Sequence, residues 1–311
     1  MIYSTTRFIL IVAAVGVFAL GQSANPTGAI AGAGYLFPGS ISIAPGQVIT
    51  IFTTGVSKPP TQPVFAGAGN LPTSLAGIGV TIVQATEIPA PILSVSSGGC
   101  AYCGTITAIT IQIPYELQTI IMNGLGPANG LFVTENGVAE SGTTFNPVFD
   151  QVHILTVCDT VIGGPGPSTG RCPWEVTHAN GLLVSNTNPA SGGEVLIAYA
   201  VGLGATNPMV PTGQAATQAR PTAETFRIGF NFEADAPPSA PPSLAPAPLY
   251  AGLTPYYPGL YQINFVVPSI PAGLPPCYSY QGTNFINTNL TVSVGGQNSF
   301  DGVEICVSVP Q

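Results

Sequence analysis

Charge is what this chain has least of. Only 6% of its 311 residues are charged, and only five residues are basic. With Arg7 set aside in the N-terminal leader, Lys58, Arg171, Arg220 and Arg227 remain, too few and too scattered for a basic patch. Nucleic acid and anionic membrane surfaces are therefore excluded as expected partners. Histidine occurs twice, at His153 and His178, and tryptophan once, at Trp174. Beyond residue 20 no apolar run approaches the ~20 residues that a spanning helix needs, so no membrane span is expected after processing.

Glycine and proline are abundant instead, at 38 and 32 residues. Both punctuate turns and weaken helix interiors, which points to short strands joined by turns. The first 21 residues have the form of a secretory signal peptide. Arg7 supplies the positive flank, Phe8 to Leu20 the apolar core, and Ala19-Leu20-Gly21 the small residues for a cut before Gln22. The apolar core is followed by no cysteine, which disfavours a lipid anchor. A secreted or cell-surface location is expected.

Six cysteines, Cys100, Cys103, Cys158, Cys172, Cys277 and Cys306, behind such a leader read as three disulfides. Spacing alone leaves about 15 connectivities open. The local set, Cys100–Cys103, Cys158–Cys172 and Cys277–Cys306, is preferred because each pair then lies within one loop or one domain.

The clearest strand signal is Leu249 to Pro268, LYAGLTPYYPGLYQINFVVP. Pro258-Gly259 marks a turn, and Tyr261, Ile263, Phe265 and Val267 then alternate with Gln262, Asn264 and Val266 until Pro268 stops the run. A weaker copy, Ile109, Ile111 and Ile113 with Thr110 and Gln112, ends at Pro114. Other segments recur in the same order. APGQVITIFTTGV is answered by SGGEVLIAYAVGLG, GVTIV by FRIGFNF, and LFVTENG by LTVSVGG. FDQVHILTV, from Phe149, is answered by FDGVEICVSV, from Phe300. An ordered set of this kind indicates tandem duplication, with about seven short strands in each half, the pattern of an immunoglobulin-like sandwich.

The expected fold is all-β, with two tandem immunoglobulin-like β-sandwiches after a signal peptide. The signal peptide spans 1–21 and a flexible leader 22–40. The first sandwich covers 41–157, a disulfide loop and connector 158–188, and the second sandwich 189–311. The run EADAPPSAPPSLAPAP, within an insert at 233–248, should be extended, solvent-facing and without a share in the core.

APGQVITIFTTGV, LPTSLAGIGVTI, ITIQIPYEL, GEVLIAYAVGLG, LYAGLTPYYPGLYQINFVVP and LTVSVGG together resemble the uncharacterised C-terminal domain of many secreted acidobacterial proteins. That domain is similar to IPT/TIG immunoglobulin-like folds. The resemblance runs from about Ile41 to Val309, and GLGATNP and AGLTPYYPGLYQINFVVP are its most specific parts. Where the family has a short Asp-Gly turn before its second half, this chain has the Cys158–Cys172 loop and His178-Ala179-Asn180-Gly181. The resemblance implies fold and secretion. It carries no catalytic residues over, because the family has none agreed.

Motifs that could carry chemistry are few. Gly166 to Gly170 matches G-x-S-x-G around Ser168, but prolines adjoin it and no apolar strand leads into it, unlike a hydrolase elbow. Glu175 and His178 could share a metal on a helix, yet no further ligands accompany them, and a loop with a packed Trp174 is the better reading. Cys100-Ala101-Tyr102-Cys103, flanked by glycines, reads as a closed turn rather than a redox pair. Glu135, Glu140, Asp150 and Asp159 are close in sequence, but nothing marks two of them as partners. No cofactor and no metal is expected.

Tyr250, Tyr256, Tyr257 and Tyr261 cluster around the turn. Tyr261 is expected in the core, with Tyr256 and Tyr257 packed against the turn. The alternative is that Tyr256, Tyr257 and Trp174 offer rings to a sugar. The expected function is a non-enzymatic, secreted or cell-surface structural or adhesive protein. The alternative is an extracellular carbohydrate-binding module using the tyrosine-bearing turn. The expected partner is accordingly an extracellular polysaccharide or a cell-surface protein.

Overall fold

A computed structural model describes residues 30–33, 41–100, 104–119, 129–159, 172–233, 242–279, 286–287, 289–295 and 301–309. Among these the chain is all-β and forms several sheets, with no helix. The expected signal peptide lies outside the described residues.

The first half builds two sheets around one core. One sheet has the order β1 (Ile30–Ala33), β3 (Val48–Thr53), β9 (Gly104–Gln112), β8 (Ile92–Cys100) and β4 (Val64–Phe65). The other has β2 (Ile41–Ile43), β11 (Val138–Pro147), β10 (Gly130–Glu135), β6 (Ile78–Val83) and β5 (Ser74–Leu75), with β7 (Glu87–Pro89) also on β6. Alternation explains the packing. On β6, Ile78, Val80 and Ile82 are buried while Gly79, Thr81 and Val83 are half-buried. They meet Ile49 and Ile51 of β3 and Ile109 and Ile111 of β9 in one apolar cluster. Ile49 stands opposite Ile111 and Ile51 opposite Ile109. Between them Thr50 faces Thr110 on the other side of the sheet, and their hydroxyls bond at 3.0 Å. Each buried isoleucine contributes about 1.5–3 kcal/mol.

The second half repeats the plan. One sheet runs β12 (His153–Ile154), β14 (Val195–Val201), β18 (Tyr261–Val266), β17 (Tyr250–Leu253) and β15 (Arg220–Pro221), with β13 (Val176–His178) also on β14. The other runs β16 (Arg227–Asn231), β21 (Leu290–Gly295) and β22 (Asp301–Ile305). A small ladder joins β19 (Tyr278–Ser279) to β20 (Ile286–Asn287). Across the core, the Phe230 ring of β16 meets Phe265 of β18 with centroids 5.9 Å apart. The order β3-β9-β8-β4 is matched by β14-β18-β17-β15, and β6-β10-β11 by β16-β21-β22. The paired sequence segments thus occupy paired places in the sheets.

One pairing expected from sequence is corrected. FDQVHILTV does not occupy the place of FDGVEICVSV. The latter forms β22 on β21, whereas the former supplies β12, which crosses to the second half and pairs with β14. On that edge β12 stands where β1 stands beside β3. The second-half sheet therefore begins upstream of residue 157, and β13 draws part of the expected connector into it as well. In the leader, 30–33 form a strand on β3.

The Pro-rich insert also differs from a solvent loop in its described part. The Phe230 N–H donates to the Leu244 carbonyl (2.9 Å), and the Ile228 N–H to Pro246 (2.8 Å). These contacts cover the outer edge of β16, where β5 and β7 cover β6 in the first half. Prolines suit such a place because they offer no donor row to another chain.

Two disulfides follow the local pairing, Cys158–Cys172 with Cα atoms 5.8 Å apart and Cys277–Cys306 with 5.6 Å. The expected Cys100–Cys103 pair lies outside the described residues, as do Cys103 itself and the side chain of Cys100. Among the described residues no helix is long and apolar enough to cross a membrane.

Candidate functional site

The turn before β18 meets the first half of the molecule. The Thr254 N–H donates to Leu260 O (2.8 Å) and closes the turn. Gly259, at φ +69°, lies so close to Val48 that a Cβ there would overlap its side chain. Around this contact the two halves share a buried seam. Tyr115 comes from the first half but packs in the core of the second. Its hydroxyl is 3.4 Å from that of Tyr261, which in turn donates to the Gly204 carbonyl (2.5 Å). Burial pushes the Tyr115 hydroxyl up to about 12, against the opposing effect of its bond to Tyr261. Burial, with Tyr115 beside it, raises Tyr261 too. Both phenols therefore stay neutral. Three backbone N–H donors extend the seam: Gly213 N–H to the side-chain Oε1 of Gln112 (2.8 Å), Leu71 N–H to Gly213 O (2.8 Å) and Gln151 N–H to Gly202 O (2.8 Å).

Beside the seam a groove of about 620 Å³ opens between the halves. The first half supplies one wall, from Phe65 through the Gly/Ala loop to Leu71, with Leu93 and Ser94 from β8. The second half supplies Gln214, Ala215 and Thr217, and the turn adds Tyr256 and Pro258. None of the described residues lining it is charged.

Tyr256 departs from the sequence expectation. It does not pack against the turn: it is 74% exposed, and Tyr257 is 60% exposed. Its backbone sits at φ +72°, a region that bulky side chains rarely occupy. A bond from its N–H to the Ala216 carbonyl (2.7 Å) holds it there. Tyr261 is fully buried, as its place in the alternation predicts. Tyr257 is not among the residues lining the groove, and nor is Trp174, which packs against the second core and bridges to Thr156. Phe65, which the first half contributes to the groove and which is 65% exposed, was not marked by the sequence. It lies in KPPTQPVFAGAGN, which has no period, and its one signal is an aromatic among glycine and alanine.

The remaining candidates do not converge. His178 is held at both ring nitrogens, Nδ1 to Glu194 Oε1 at 2.5 Å and Nε2 to the Asn188 carbonyl at 3.1 Å. Burial opposes its charged form, but the bonds to Glu194 and Asn188 outweigh burial and raise its pKa. Glu175 does not share this site. Its pKa is raised by burial and by the nearby Asp159. Asp159 accepts from the Thr156 hydroxyl (3.0 Å) and bonds His153 Nε2 at 3.1 Å. Glu135 accepts the N–H groups of Ser57 (2.9 Å) and Lys58 (3.0 Å), which ties down a loop. Among the described residues no group of three or more metal-ligating side chains gathers. Ser168 lies outside the described residues. No protein-family model matches the chain, and no curated protein matches it.

Proposed function

We propose that this chain is a non-enzymatic, secreted or cell-surface protein of structural or adhesive kind, made of two tandem immunoglobulin-like sandwiches of the IPT/TIG-related type. The observation that carries this reading is the buried seam, in which Tyr115 of one half completes the core of the other. A seam of that kind lets two small sandwiches act as one body with a single continuous surface, which suits a protein that holds others in place. The two disulfides and the leader residues support an extracytoplasmic location. The test is co-sedimentation of the purified full chain with washed cell envelopes. Saturable retention in the pellet is expected; recovery wholly in the supernatant would overturn the adhesive reading.

A second reading, carbohydrate binding through the tyrosine-bearing turn, is favoured by the exposure of Tyr256 and Tyr257. Its test is retention on insoluble polysaccharides and release by free sugar.

A further inference from the structure

We infer that the groove between the two halves is a composite binding site for a neutral oligosaccharide, with Phe65 and Tyr256 as its stacking platforms. The inference rests on the carbohydrate-binding reading and narrows it to one place and one ligand class. Three observations carry it. First, the two aromatic side chains that line the groove, Phe65 and Tyr256, are both largely exposed and come one from each half. Free aromatic rings on a groove present flat apolar faces, the surface that the C–H faces of a pyranose ring cover. Second, the polar lining consists of amides and hydroxyls, Asn70, Ser94, Gln214 and Thr217. Such groups exchange hydrogen bonds with sugar hydroxyls and offer nothing to neutralise a phosphate or a carboxylate. Third, Tyr256 holds a backbone conformation suited to glycine, and strain of this kind collects at ligand sites when the surroundings impose it. Here the imposing bond is to Ala216, next to the lining residue Ala215. The groove, at about 620 Å³, falls within the ~300–1,000 Å³ of ligand pockets.

Other occupants fit less well. A nucleic acid would also stack, but the lining has no cation to meet its phosphates. A peptide strand added beside β4 would need a row of free N–H groups, and Pro59, Pro60 and Pro63 interrupt that row.

The test is affinity electrophoresis of the full chain in gels that contain β-glucan, xylan, glucomannan or, as an anionic control, polygalacturonate. Wild type should be retarded by at least one neutral polysaccharide and not selectively by polygalacturonate. Phe65→Ala should weaken that retardation at least tenfold, and Leu182→Ala, at an exposed side chain outside the groove lining, should leave it within twofold, with melting temperatures confirming that the variants fold. Loss with Tyr257→Ala but not with Phe65→Ala would move the ligand onto the turn, overturning the groove while the carbohydrate reading stands. Retardation of wild type by none of the neutral gels, or by polygalacturonate alone, would overturn the inference, and neutral-gel failure would overturn the carbohydrate reading with it.

Discussion

Tyr115 and Tyr261, 146 residues apart in the chain, place their hydroxyls 3.4 Å apart in the buried seam between the two halves. Because Tyr261 donates to Gly204, the bond between the two phenols takes its proton from Tyr115. The pair sits where the β18 turn, the seam and the groove adjoin.

Replacing Tyr261 by Phe leaves both the Gly204 carbonyl and the Tyr115 hydroxyl without that partner. The expected cost is about 1–3 kcal/mol. Tyr115→Phe removes only a donor and should cost less. A double-mutant cycle by urea unfolding should show a coupling energy of at least about 0.5 kcal/mol, since the two side chains touch. Additive effects would mean that the two phenols do not cooperate.

Tyr115→Ala should do more. It empties part of the second core from the first half, at a cost of about 3–5 kcal/mol by analogy with other aromatic truncations. Calorimetry of wild type should give one cooperative transition, and the variant two separated ones. Two transitions already in wild type would show that the seam does not couple the halves.

The His178–Glu194 pair should leave a pH signature. The folded pKa of His178 is raised, so its contribution is full below the ordinary 6.5 and is lost as pH rises through the folded value. For Glu194 the bonds from His178 and Ser191 outweigh burial and lower the pKa. Its contribution is full above the ordinary 4.5 and is lost as pH falls through the folded value. The pair therefore stabilises most between pH 4.5 and 6.5. A profile of melting temperature against pH should lose its decline above that window in Glu194→Gln. An unchanged profile would show that the pair does not shape the pH dependence.

Cys277–Cys306 closes a loop of 29 residues. Replacing both cysteines by alanine should cost about 3–4 kcal/mol, read as a lower guanidinium midpoint in the absence of reductant. An equal midpoint would show that the crosslink constrains little of the unfolded chain.

Much of the sheet structure is legible in the sequence. The alternation of Ile78, Val80 and Ile82, and that of Tyr261, Ile263 and Phe265, states which residues face a core. The same alternation in Phe149 to Val157 shows a strand but cannot show which sheet it joins. That choice depends on the free edge of β14, far along the chain. The exposure of Tyr256 is hidden from the sequence for a related reason. A turn sequence records which residues can occupy it, while the exposure of its rings depends on where the turn lands, here against Val48 and Ala216. Phe65 left no periodic trace because β4 spans only two residues, too few for an alternation to show, and the Gly/Ala stretch after it has no period.

The most direct test of the groove is Tyr256→Gly, compared with wild type for melting temperature and for retention on a neutral polysaccharide. Glycine accepts φ +72° freely, so the variant should gain stability, by up to about 1–2 kcal/mol before the glycine's own entropy is counted. It should also lose retention at least tenfold, because the ring is gone. A variant at least as stable as wild type that no longer binds would mark Tyr256 as a residue held in strain for its ligand. Full retention by the glycine variant would contradict that role and remove the ring from the site.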